Sequence, residues 1–121
     1  MNVQSLPVPN LIEVRSPAGI FKAGWLSDKT DFASELAGFD VLFRVVAEGL
    51  FSLDDERDFE HQIHTTSYKE FHEWLTMCWE TAILPESTDK RIEAAIQEAS
   101  GDVDIVTIIP ARMTKLRAAS L

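Results

Sequence analysis

His61, His64 and His72 fall close together in the chain with Glu60, Glu70, Glu73 and Cys78 among and beside them, donor types that suit zinc or another transition metal. Their spacing argues against a shared ion. If residues 58–66 form a strand, alternation turns His61 and His64 to opposite faces. His72 projects beside Tyr68 and Trp79 at the margin of a helical apolar stripe, the ordinary place of a core-edge histidine. No metal ligands are assigned. The same imidazoles suit proton transfer, because histidine titrates nearest neutrality and a carboxylate can fix its tautomer. Alternation excludes Glu60 as a direct partner of His61, leaving Glu70 and Glu73. No nucleophile stands at a recognisable spacing from a base, since Cys78 falls in the apolar stripe of its helix, where a thiol is inert. No catalytic residue is assigned.

Asp54, Asp55, Glu56, Asp58 and Glu60 offer carboxylates at alternating positions, as calcium loops do. The pattern fails where such a loop is most demanding: Phe59 stands at the sixth position, which needs glycine, and Thr65 at the twelfth, which needs a bidentate glutamate. The run reads instead as a solvated hairpin tip and as a contact surface for a basic protein. Overall charge agrees with that reading. Asp and Glu number 20 against 11 Lys and Arg, a net charge of -9, which argues against a surface built to hold nucleic-acid phosphates. All the acidic residues lie between Glu13 and Asp104, while the tail beyond carries only Arg112, Lys115 and Arg117. These three cations could pair with the protein's own acidic face, with a neighbour's, or with nothing. The glycines are too dispersed for a phosphate cradle, so no nucleotide or other cofactor is implied. Trp74 lies off the centre of its helical stripe and is the first choice for a partner contact, whereas Trp25 and Trp79 read as core.

The elements that must position these groups are short. Residues 11–15 and 20–26 are β-prone runs flanking Ser16-Pro17-Ala18-Gly19 and predict a hairpin. Asp28 or Thr30 can cap a short helix through Ala37, with Gly38 available to end it. In residues 40–53 the apolar side chains scatter on a helical projection but sort by alternation, so a strand is expected, joined by a tip at residues 54–57 to a second strand over 58–66. Matching odd positions with odd pairs Phe51 with Phe59 and Gly49 with His61, and places that imidazole on the core side. Residues 67–83 change to helical period, with Tyr68, Phe71, Leu75, Cys78, Trp79 and Ala82 in one stripe. A second helix capped by Ser87 or Thr88 runs to Gly101 and buries little. Residues 103–109 are apolar on both faces, as in an interior strand, until Pro110 interrupts.

At 121 residues and 45% hydrophobic content the chain can bury a core as one domain over residues 11–121, with residues 1–10 a flexible arm around Pro7 and Pro9. The expected fold is α+β, a largely antiparallel sheet of about five strands with two to three helices in the order ββαββααβ. No apolar run is long enough for a membrane span and the amino terminus lacks a signal sequence, so a cytoplasmic protein is expected. The single cysteine agrees with a reducing compartment.

The progression from Ala37-Gly38-Phe39 through a long strand pair to helices and a final strand resembles the carboxyl ends of some small-molecule methyltransferases. That resemblance implies a substrate-side scaffold without its glycine-rich cofactor half. Two functions follow. The first is a non-enzymatic interaction or regulatory domain that meets a basic partner through Asp54, Asp55, Glu56, Asp58, Glu60 and Trp74. The alternative is a small-molecule or enzymatic pocket beside His61, bordered by Tyr68, His72 and Trp79. A homodimer, formed where an exposed strand of the carboxyl tail meets its symmetry mate, is compatible with either.

Overall fold

The computed structural model describes residues 2–99 and 101–118. Its elements run β1 (Asn2–Ser5), β2 (Asn10–Ser16), β3 (Gly19–Asp28), α1 (Ala33–Ala47), β4 (Phe51–Thr65), α2 (Tyr68–Cys78), β5 (Ala82–Ile83), α3 (Glu86–Glu98) and β6 (Asp104–Ala118). Among the described residues all strand pairings are antiparallel and three helices accompany the six-stranded sheet, which is the expected α+β class.

β6 organises the sheet. One side of it pairs with β4 from Thr65 opposite Ile105 to Phe51 opposite Ala118. Its other side is shared by β2, which reaches Ile108, and by β1, which pairs Ser5 with Ala111 and Asn2 with Thr114. Pro110 therefore lies inside a continuous strand instead of interrupting it. A residue of an antiparallel strand points its N–H and C=O to the same neighbour. The Pro110 carbonyl accepts from the Leu6 amide at 2.8 Å, so the missing N–H faces the stretch between the end of β1 and the start of β2, where no ladder bond is lost. The carboxyl tail is flanked on both sides up to Thr114, which corrects the expectation that it offers an open edge. Residues 2–5, expected to belong to a loose arm, are fastened by the same pairing.

The β2–β3 hairpin closes where its turn residues predict, with Ser16 opposite Gly19 and the Ala18 amide donating to Ser16 Oγ at 3.3 Å. α2 starts at a capped end: Ser67 Oγ accepts from the Glu70 amide at 3.1 Å. It stops at Cys78, earlier than its period suggests, because Trp79 takes φ -148° and ψ 72°. Cys78 is exposed and not part of the buried stripe. Ile12 and Val14 of β2, Ala23 and Leu26 of β3, and Ile105 of β6 meet Phe71, Leu75 and Ile92 of the helices in one core. Each fully buried side chain of this kind contributes about 1.5–3 kcal/mol. α3 thus anchors the core through Ile92, although its sequence suggested a peripheral helix. Its approach depends on Gly24, where an added Cβ would meet Thr88 Oγ1 at 2.3 Å.

Residues 40–53 do not form the expected strand. α1 runs through them to Ala47, and β4 begins only at Phe51. The helical projection lacks a sharp face because the apolar arc of α1 is wide: Phe39, Leu42, Val45 and Val46 are half-buried, and exposed Leu36 and Phe43 flank them on one side and Val41 on the other. An apolar arc that wide carries little helical period. Gly38 lies within α1 and does not end it; a Cβ there would meet Gln4 Nε2 of β1 at 2.6 Å. With α1 helical, there is no hairpin tip at residues 54–57 and no pairing of Phe51 with Phe59. Those residues lie within β4, paired with β6.

Candidate functional site

The acidic run occupies β4 and faces the tail cations strand to strand. Arg112 donates to Asp58 through Nε at 2.7 Å and Nη2 at 3.2 Å, and reaches Glu56 at 3.5 Å. Lys115 and Arg117 both meet Asp54, at 3.3 and 3.2 Å, and Arg57 meets Asp55 at 3.1 Å. Asp54 is the bulged residue, which re-aims the alternation of the strand around it. The guanidinium bonded to Asp58 holds that carboxyl below the ordinary carboxylate range, and the same contact raises Arg112. Exposed pairs of this kind each contribute between zero and about 1 kcal/mol, so their role is register more than stability. Glu60 is exposed opposite Pro110.

The residues of the expected pocket are not brought to one place. His61 is exposed on β4, opposite Ile109, and so is not on the core side. Tyr68 and His72 do meet, with ring centroids 4.3 Å apart on successive turns of α2. Tyr68 Oη donates to Asp89 of α3 at 2.8 Å, and His72 Nε2 lies 3.0 Å from the same carboxylate. A carboxylate only accepts, so Nε2 carries the proton. Burial first, then the bonds to Asp89 and Glu93, push the Tyr68 phenol well above its ordinary range. The cluster is a clamp between α2 and α3, and the shallow surface over it is lined without His61. Tyr68→Phe is expected to lower stability by about 1–2 kcal/mol in urea unfolding, the loss of hydrogen bonds to a charged acceptor.

Trp79 belongs to a different constellation that sequence spacing did not reveal. Asp28, buried at the end of β3, accepts from Trp79 Nε1 at 2.6 Å, Thr81 Oγ1 at 2.7 Å, the Thr30 amide at 2.8 Å and the Thr30 hydroxyl. Burial alone would raise its pKa, but the four donors outweigh that and hold the carboxyl well below the ordinary range. The knot fixes the turn into α1, where Asp31 and Phe32 are left-handed at φ 52° and 61°, and Phe32 packs on Trp79 at 6.2 Å. Trp74 is half-buried against the core, whereas Trp25, read from sequence as core, is 56% exposed.

α1 and β4 together form an exposed face of the fold. No residue of α1 is buried, and Phe43 is 77% exposed. Between α1 and the β4–β6 ribbon lies a groove of about 480 Å³, walled by Phe39, Leu42, Phe43, Val46 and Leu53, with Glu56 and Arg112 at its polar side. Arg112 sits 5.7 Å from the Phe39 ring centroid and links the helix to the charge ladder. β4 pairs with β6 alone among the described strands, leaving its other edge open. Among the described residues no helix is long and apolar enough to cross a membrane. Compared with protein-family models, with curated proteins and with solved structures, the chain shows no match.

Proposed function

We propose that the chain is a non-enzymatic protein-interaction domain whose contact surface is the outer edge of β4 together with the Leu36 and Phe43 flank of α1. The observation that carries this reading is β4 itself, 15 residues long, exposed from Phe51 to Gln62 and paired on one side only among the described strands. Such an edge presents a row of main-chain donors and acceptors to any second strand. Beside it, Phe43 at the groove and Leu36 two turns away on the same flank of α1 expose apolar area. A basic partner would compete with Arg112, Lys115 and Arg117 for the carboxylates of Asp54, Glu56 and Asp58. Affinity at this surface therefore comes from apolar contact and strand pairing more than from charge. The exposed Cys78 thiol, the single cysteine of the chain, fits a cytoplasmic setting.

A photo-crosslinking side chain tests the reading directly. Placed at Phe43 or Phe59, it is expected to form covalent protein adducts in cells of the source organism, while the same group at exposed Glu98 on α3 forms none. Absence of adducts from both positions refutes the proposal.

A further inference from the structure

The surface area of the chain says how much is left uncovered. A folded monomer of 13.6 kDa is expected to expose about 6,600 Å², so the 7806 Å² of this chain is an excess of about 1,200 Å². That excess is larger than the ~800 Å² per partner of a standard interface and reaches the range of permanent dimers when counted on two copies. No residue of α1 is fully buried, and β4 is exposed over most of its length.

From this we infer that a second copy of the chain occupies the β4 edge, pairing β4 antiparallel with its symmetry mate about a two-fold axis at His61. The inference rests on reading β4 and α1 as an interaction surface and names the occupant. An axis perpendicular to the sheet keeps each face continuous, so residues meet in same-face pairs. At this register Phe59 faces Ile63 of the other copy, Asp58 faces His64, Glu60 faces Gln62, and Arg57 faces Thr65. Asp58 is already bonded to Arg112, and His64 Nδ1 lies 2.7 Å from Asp104 Oδ2. The pairing therefore sets Arg112, Asp58, the facing His64 and its Asp104 in a row, with imidazole and guanidinium alternating with carboxylates, once on each side of the axis.

Neighbouring registers are worse. An axis at Glu60 sets that carboxylate against itself, one at Phe59 sets Asp58 against Glu60, and one at Gln62 sets Phe59 against Thr65. Like charges directly opposite destabilise a sheet, and apolar pairs contribute up to about 1 kcal/mol each. A closed pair of this type also removes the open edge that invites uncontrolled association.

Sedimentation equilibrium of the unmodified chain tests the inference without any mutation. The expected mass is twice 13.6 kDa at micromolar concentration. Phe59→Lys is expected to weaken the dimer about tenfold or more, because it exchanges an apolar pair at the centre of the contact for a charge. In a Cys78→Ser background, His61→Cys is expected to form an intermolecular disulfide, since residues on the axis face themselves at a Cα separation of about 4.5–5.5 Å, whereas Arg57→Cys is not. His61 is exposed, so the fold survives either change. A monomeric mass at all concentrations overturns the inference, as does a dimer that crosslinks at residue 57 but not at 61. Photo-crosslinks from Phe43 or Phe59 to a different protein, on a chain that sediments as a monomer, overturn the inference and leave the proposed function standing.

Discussion

Asp28→Ala is expected to lower the free energy of unfolding by about 3–5 kcal/mol, a large share of the stability of a domain this size. The substitution strands the Trp79 indole N–H, two threonine hydroxyls and the Thr30 amide, all of which donate to this one carboxylate. It also frees the turn that holds Asp31 and Phe32 left-handed. Asp28→Asn fares little better, because one face of the amide presents hydrogens to donors. Urea unfolding followed by tryptophan fluorescence reads both variants; a loss below about 1 kcal/mol would remove the knot from the account of this fold. The pH dependence follows from the depressed pKa. A carboxyl held below its unfolded value of about 3.9 stabilises fully above that value and loses its contribution as pH falls through the folded one. The gap between wild type and Asp28→Ala is therefore flat from pH 8 to about 5 and narrows in acid.

Gly24→Ala is the other severe change. The new Cβ would lie 2.3 Å from Thr88 Oγ1 and 2.9 Å from Thr88 Cγ2, and the backbone at φ 148° is a conformation side chains rarely take. Overpacking and backbone strain together are expected to cost about 3 kcal/mol. Thr88→Ala removes both atoms that clash. Combined with Gly24→Ala it should recover at least ~1 kcal/mol relative to additivity, a coupling that a double-mutant cycle in urea measures. Full additivity would mean that strain at residue 24, not the seat of α3, sets the cost.

What could be read from the sequence was local. The β2–β3 turn declares itself in Pro17 and Gly19, and α2 in the spacing of Phe71 and Leu75 behind its Ser67 cap. α1 is hard to read because Leu36 and Phe43 on one flank and Val41 on the other widen its apolar arc, so that its sequence also sorts by alternation. The alternation from residue 58 onward marks β4 as extended but points to a neighbouring partner. The cations that answer its carboxylates are on β6, beyond two helices. Of the proposed contact residues, Asp54, Asp55, Glu56, Asp58 and Glu60 do lie on one strand. Trp74 lies apart from them, half-buried against the core, and His61 parts from Tyr68, His72 and Trp79 once the hairpin is gone. Asp28 was visible only as a helix cap, because its donors Trp79 and Thr81 come 51 and 53 positions later and no period links them.

The placement of β6 bears on how the chain is made. It follows the other described elements in sequence, yet β1 and β4 take their ladders from it and β2 its second one. During synthesis the β2–β3 hairpin and α2 can form as they leave the ribosome, but β1 and β4 must wait. Until residues 104–118 emerge, the acidic strand has neither its neighbour nor its counter-charges, and its mutual repulsion keeps it extended and apart from other nascent chains. Closure of the sheet is then a late, long-range event, so folding should be slow for a protein of this length.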